Sequence, residues 1–458
     1  MLLFKKILLF LTSTISLFLF SIGNRRTPVR VEKRPFGRIK IRSSDRILIL
    51  SPHPDDAALS SSGLIQESLN AGAKVKVVYI TYGSHSSDTI IKSPTLLLPL
   101  PVAAVVKQGR VRHDEAVNAM KTLGLNDSNL IFLGFPDSGT LKMWDDYFNN
   151  KSLFSGVLAN DKIFYKTAYK RGIKFNAVNE FSLLKEIILK YKPTKIIYPS
   201  IEDLNPDHRA TGLFLLAVLS DVQNASYHPE RYAYFVHAVD WPSTNNLNFS
   251  VPGFIYNLKG IWFEQRLDEI FKSKKEEAIL CHKIPVKARP KFLLSFVKDN
   301  EIFLEQEPYK KDQPLILWSP KELNKLSLFS CVSSVFVTED DDYLIFNITV
   351  KPKVPSFSKI YVFVYPLGNE SFLKLPKYRV EIVHGVGKLL VAKLIDGRNG
   401  ESTNLKSDVD ANVTRTKVIV KINKRFFNNS QYLLSSVQIE KLNVRVSETP
   451  WWFIDLRG

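Results

Sequence analysis

Cysteine is nearly missing: Cys281 and Cys331 are the only two in 458 residues. Two thiols cannot make a disulfide framework, so the core has to come from apolar packing, and both are expected to be free. A run long enough to span a bilayer is lacking too. The longest candidate, Ile7 to Ile22, is diluted by Thr12, Ser13, Thr14 and Ser16, and it stands behind Lys5 and Lys6 and ahead of Gly23. This composition predicts an export signal over residues 1–24, cleaved or kept as an N-terminal anchor, and hence a protein of the cell envelope, periplasmic or extracellular. No helix-turn-helix, zinc-finger or RNP-type signature accompanies the net charge of +18, so nucleic acid is not an expected partner. An anionic envelope polymer or a membrane surface fits that charge instead. No internal repeat is visible.

What the chain does have is an ordinary globular composition, 45% hydrophobic and 24% charged, and length for more than one domain. Its most informative stretch is Ile47-Leu-Ile-Leu-Ser-Pro-His-Pro-Asp-Asp56. Ile47 to Leu50 reads as a strand buried on both faces, the state of a central strand in a parallel sheet. Pro52 and Pro54 end the ladder, and His53, Asp55 and Asp56 follow at the strand's carboxyl end, where open α/β sheets bind ligands. Asp56 is expected to cap a helix over Ala57–Ala71, closed by Gly72.

Strand and helix signals then alternate to about Phe303, which predicts a Rossmann-like, mostly parallel sheet with helices on both faces. Lys74–Thr81 reads as a second strand, followed by a loop of some 27 residues holding the apolar run Leu96–Val106, which could serve as a lid, a membrane-contacting flap or a packed insertion. Val111–Leu123 is a helix, Asn129–Leu133 a third strand that delivers Asp137 to the same edge as His53, and Glu180–Tyr191 an amphipathic helix. A fourth strand from Lys195 to Pro199 runs into Glu202-Asp-Leu-Asn-Pro-Asp-His208, which brings His208 to that edge as well. Glu264–His282 is taken as the last helix. After residue 305 the pattern becomes β-branched and aromatic with Pro, Gly and Asn turns, as in Tyr343–Val350, Ile360–Tyr365 and Lys417–Ile422, which predicts an all-β, sandwich-like domain over 306–458. Trp451 and Trp452 are expected in its core, not on a sugar-binding platform.

The rim residues suit a metal-assisted hydrolysis. A hydrolytic zinc site takes three protein ligands and leaves one position for water, and His53, Asp56 and His208 make such a set; ferrous iron is the other metal considered. Asp55, beside a ligand, is suited to take the proton of the attacking water and pass it to a leaving amine. Asp207, next to His208, is expected to hold the other nitrogen of that imidazole or to tune the base. Asp137 either binds a sugar hydroxyl or caps a turn. His85 on the loop after the second strand reads as a solvent-exposed residue.

The Pro-His-Pro-Asp-Asp run of residues 52–56, with Asn-Pro-Asp-His-Arg-Ala at 205–210, resembles the motifs of the PIG-L (LmbE-like) family of zinc-dependent N-deacetylases. Arg112-x-x-Glu115 with Ala119 and Leu123-Gly124, and Leu133-Gly-Phe-Pro-Asp137, are also similar to it. The resemblance covers residues 44–303, within a domain placed at 25–305, and it implies His53, Asp56 and His208 as zinc ligands and Asp55 as general base. It also implies an N-acetylated amino sugar or glycan, of N-acetylglucosamine type, as substrate. Two positions depart from the family: Ala57 stands where many members have Glu, and Asn205 where many have the His that stabilises the oxyanion. Asn205 can donate a hydrogen bond to an oxyanion and is kept among the candidate catalytic residues, but it cannot carry the positive charge, so His237 or Arg112 is expected to replace that His, Arg112 otherwise serving to bind substrate. The alternatives are a hydrolase of the same fold acting on another amide or acyl group, or a non-catalytic envelope glycan-binding protein.

Overall fold

The computed structural model describes residues 36–85, 101–223, 227–238, 241–242, 246–251, 258–315, 331–404, 406–427 and 430–457. The predicted export signal and most of the apolar run before Val102 lie outside these residues. The chain divides into two compact units, one spanning Val31–Glu307 and one containing Pro308–Gly458.

The first unit is built on a seven-stranded sheet of order β3-β2-β1-β4-β5-β7-β6. Strands β1 (Arg46–Ser51), β2 (Lys74–Thr81), β3 (Leu130–Phe135), β4 (Lys195–Pro199) and β5 (Glu230–Tyr234) pair in parallel. Strands β6 (Gly260–Arg266) and β7 (Asn300–Gln306) add an antiparallel edge. Strand order runs outward from β1 in one direction through β2 and β3, and in the other through β4 and β5. Right-handed crossovers therefore put the connecting helices on opposite faces, and the switch point falls between β1 and β4. Helices α1 (Asp56–Asn70), α2 (Val102–Thr122) and α6 (Glu269–Leu280) pack together, and so do α3 (Thr140–Asp146), α4 (Ala177–Tyr191) and α5 (Pro206–Val222). Among the described residues no helix is long and apolar enough to cross a membrane.

Helix α1 is buried along nearly its whole length although it is serine-rich. Its hydroxyls bond back to the carbonyls one turn earlier, Ser60 to Asp56 and Ser62 to Ala58, a habit that bends helices. The backbone leaves helical geometry at Ser61, and the amides freed there, Gly63 and Leu64, donate to the two oxygens of Glu301 at 2.9 and 3.0 Å. Lys275, fully buried, neutralises that carboxylate at 2.8 Å. A Cβ at Gly63 would lie 2.6 Å from the Leu267 side chain, which would have to shift to make room for it.

Three elements differ from the sequence reading. Helix α2 begins at Val102, not Val111, because Val105, Gly109, Arg112, Ala116 and Ala119 form one buried face at helical spacing. The stretch 264–282 is not one helix: Gly260–Arg266 is a strand, and α6 starts where Asp268 accepts from Phe271 N at 2.7 Å. Asp56 is the first residue of α1 and does not cap it; Ser51 Oγ instead takes the Ala57 amide, at 3.1 Å. Cys281 is a free, half-buried thiol.

The second unit is all β. One sheet orders β15 (Val409–Val413), β16 (Lys417–Asn423), β10 (Tyr343–Lys351) and β9 (Cys331–Glu339). The other orders β14 (Ser402–Thr403), β13 (Leu389–Asp396), β12 (Tyr378–His384), β11 (Ser358–Gly368), β17 (Ser430–Lys441), β19 (Trp452–Asp455) and β8 (Tyr309–Lys310), with β18 (Val444–Glu448) also on β17. Strand β10 alternates half-buried and buried residues, as one inward face requires. Trp451 and Trp452 are both 0% exposed, and the Trp451 ring lies 5.6 Å from Phe363 and 5.1 Å from Tyr365.

Candidate metal centre

The turn after β1 is shaped by its own polar atoms. Ser51 Oγ donates to His53 O at 2.7 Å, and Thr81 at the end of β2 bonds Pro52 O through both its amide and its hydroxyl. Within this turn Asp56 Oδ2 accepts the His53 amide at 2.8 Å and lies 3.1 Å from His53 Nδ1. From β4, the chain turns into α5 and delivers His208, whose Nε2 lies 3.1 Å from the same Asp56 oxygen and 3.3 Å from His53 Nδ1. Three ligand-type atoms from both sides of the switch point thus form a near-equilateral triangle, in residues that are all buried. The edge of a tetrahedron built on zinc bonds of ~2.0–2.1 Å is roughly 3.3 Å, so this donor set fits a tetrahedral divalent ion.

The electrostatics point the same way. Burial alone would raise the Asp56 carboxyl, but His208 and His53 hold it well below the usual range. Burial would lower His208, yet Asp56 and Asp203 push it up to about 9; His53 is likewise lifted, by Asp56, Asp137 and Asp207. Protons stabilised between carboxylates occupy the place a divalent cation suits, so cation entry must release them.

The outer nitrogens of both imidazoles face carboxylates, which is how metal-binding histidines are oriented. His208 Nδ1 lies 3.3 Å from Asp203 Oδ2. Asp203 is fully buried and accepts from Val236 N, His237 N and Asn205 N at 2.8–3.0 Å. The role expected of Asp207 toward His208 therefore belongs to Asp203. Asp207 serves His53 instead: its Oδ2 is 3.3 Å from His53 Nε2, while Ser138 N and the amide and hydroxyl of Thr140 bond its oxygens. Asp137 Oδ1 lies 3.4 Å from the same Nε2, and Oδ2 takes the amide of half-buried His85. Asp203 escaped the sequence reading because it sits five residues before His208 in a turn, and only the fold brings them together.

Asp55 points away from the triangle. Its Oδ1 accepts from Arg112 Nη2 at 2.7 Å, and Arg112 Nη1 donates to Gly83 O at 2.9 Å. Burial would raise this carboxyl, but Arg112 holds it below its usual value, so it is ionised near neutral pH. Arg112 thus holds the Asp55 carboxylate through one N–H of Nη2 while one N–H of Nη1 is tied to the Gly83 carbonyl. Asn205 is the N-cap of α5, its Oδ1 accepting from Asp207 N at 2.9 Å. His237 lies beside the centre, its ring edge-on to His208 at 5.0 Å and stacked on Phe292 at 5.6 Å. Burial pushes His237 down to about 4, so it is neutral and offers one N–H donor. Ala57 is fully buried and adds no polar atom.

No curated protein matches the chain. Among solved structures it is similar to the deacetylase of the antimicrobial A40926 pseudoaglycone, at 17% identity over 57% of this chain and 96% of that one, TM-score 0.37. It is also similar to the N,N'-diacetylchitobiose deacetylase of Pyrococcus horikoshii, at 16% identity, 57% and 83% coverage and TM-score 0.35. The 4-carboxy-2-hydroxymuconate hydratase of Pseudomonas putida is comparable, at 16% identity, 55% and 82% coverage and TM-score 0.34. Likenesses this distant, to deacetylases and a hydratase alike, assign neither substrate nor mechanism. The family described as PIG-L, GlcNAc-PI de-N-acetylase, matches over residues 48–219, which span β1 to α5 and hold both metal motifs. The resemblance read from those motifs thus has an independent counterpart: residues 48–219 of this chain match the PIG-L family.

Proposed function

We propose that the first unit is a metal-dependent hydrolase that removes the N-acetyl group from an N-acetylglucosamine-type sugar or glycan. One observation carries this reading: His53 Nδ1, Asp56 Oδ2 and His208 Nε2 stand 3.1–3.3 Å apart, with the paired carboxylate Asp55 directly beside them in the chain. His53, Asp56 and His208 would hold the ion, with zinc the metal favoured. A bound ion there supplies Lewis acidity toward water and the amide carbonyl.

The chain's own residues account for the rest. Asp55, ionised and fixed by Arg112, accepts a proton from the attacking water and returns it to the leaving nitrogen, so that the amide and water become amine and acetic acid. His237 donates its N–H to the oxygen that gains charge as the carbonyl becomes tetrahedral, as a hydrogen bond without a formal positive charge. Asp203 and Asp207 hold the two imidazoles in the tautomer that presents a lone pair inward. With residues 1–24 as an export signal, the substrate is an envelope or extracellular glycan.

The test is acetate release by zinc-loaded protein from N-acetylglucosamine oligomers, compared with a panel of other amides and acyl esters. Release from the sugars alone supports the proposal. Turnover of other amides or esters in their place would move the assignment to another hydrolase of this fold.

A further inference from the structure

A histidine that no reaction step uses is buried within electrostatic reach of Asp55. His282, between α6 and the short helix α7 (Lys283–Ala288), is 0% exposed, and neither ring nitrogen has a hydrogen-bond partner among the described residues. It interacts electrostatically with Asp55, Arg112 and Asp56. Among the described residues two further atoms in this region, Arg112 Nε and Glu115 Oε2, have no hydrogen-bond partner, in side chains of residues only 4% and 6% exposed. Arg112 and Glu115 are three residues apart and share a face of α2. Glu115 Oε1 accepts from Ile284 N at 3.0 Å, which fastens the segment carrying His282 to that face.

A buried polar atom left unpaired costs roughly 1–3 kcal/mol, and native proteins keep few. Here four such atoms belong to three buried side chains, with Arg112 interacting electrostatically with both His282 and Glu115. Arg112 Nε is a donor, Glu115 Oε2 an acceptor, and a neutral imidazole brings one of each. Mixed donors and acceptors around one point are what a buried water requires. We propose that a buried water links His282 to Arg112 Nε and Glu115 Oε2, and that through it His282 is a positioning residue for the Arg112–Asp55 pair. The water fixes the guanidinium on its third side, Gly83 O and Asp55 having fixed the other two, and so sets the direction of the Asp55 carboxylate. The consequence for turnover rests on Asp55 being the base.

A crystal structure of the full chain showing ordered water tests the first half directly. The expected result is a water within hydrogen-bond distance of His282 and of Arg112 Nε or Glu115 Oε2. A dry site, or His282 bonded directly to protein groups, overturns the proposal whatever the activity. For the second half, zinc-loaded protein is assayed on N,N'-diacetylchitobiose. His282→Phe is expected to lower kcat on the order of tenfold with KM and zinc content unchanged, and His282→Gln, which keeps a donor and an acceptor, to restore most of it. An unchanged kcat in His282→Phe, or equal loss in both variants, overturns the positioning role. Should the wild type release no acetate, the deacetylase reading fails and the water alone decides this one; should His282→Phe not fold, His282→Gln and the crystal decide.

Discussion

In the β unit, Lys377 is 1% exposed, yet its ammonium closes on the carbonyls of Phe372 and Leu375 a few residues away, and Asp396 next to it takes the Lys377 amide and the Arg398 guanidinium. In the α/β unit, His53 and Asp56 share one turn while His208 stands 155 residues after His53, and their inner atoms face one another. Burial of charge is common to both. The difference lies in where the polar atoms are spent. Turn-local charges satisfy themselves and stabilise the turn, whereas charges converging from β1, β4 and their following helices leave atoms directed at a shared point.

That contrast predicts different responses to substitution. Largest should be His208→Ala, which removes a ligand outright: metal per chain, measured after dialysis against zinc-containing buffer, is expected to fall from one to none. Retention of a full equivalent would break the comparison. Trp451→Ala in the β unit is expected to cost about 3–5 kcal/mol in denaturant unfolding, as large aromatic truncations in cores do, with zinc affinity unchanged.

Asp203→Asn sharpens the picture within the site. Asn must turn its amide either toward His208 Nδ1 or toward a backbone N–H, and both are donors in the native arrangement. The wrong tautomer of His208 then presents a hydrogen inward, and zinc affinity in a chelator competition should weaken on the order of 10–100-fold. The same change at Asp207 should act through His53.

A further effect concerns acid stability. Burial pushes His282 down to about 4, against an ordinary value of 6.5. A histidine depressed by folding contributes stability that is present above its unfolded value and is lost as pH falls toward the folded one. Unfolding free energy of wild type is therefore expected to drop between pH 6.5 and 4, by on the order of 3 kcal/mol from this group, and less in His282→Gln.

The legible parts of the fold were those written in short-range pattern. Lys74–Thr81 alternates β-branched residues and is the observed β2 to the residue. Tyr343–Val350 and Lys417–Ile422 alternate as clearly, and each is seen as a strand one residue longer. Helix α2 was cut short because its first turns follow a leucine- and proline-rich run with no polar face. Strand β6 was absorbed into a helix because Glu264, Gln265 and Arg266 are good helix formers, and its pairing with β7 is settled by tertiary contact.

The site divides in the same way. His53, Asp55, Asp56 and His208 stand in compact motifs whose prolines mark the turns. The roles of Asp203, Arg112 and Asn205 depend on which oxygen or nitrogen meets which across a turn, and no spacing rule encodes that. His282 had no motif at all; its place shows only when α6 packs against α1 and α2.

The most direct test compares zinc content and acetate release from N-acetylglucosamine oligomers in wild type and Asp55→Ala. One zinc per chain in both, with acetate released by wild type alone, is the predicted result, since Asp55 lies outside the ligand triangle and carries the proton. Full activity in Asp55→Ala, or no zinc in wild type, would contradict it.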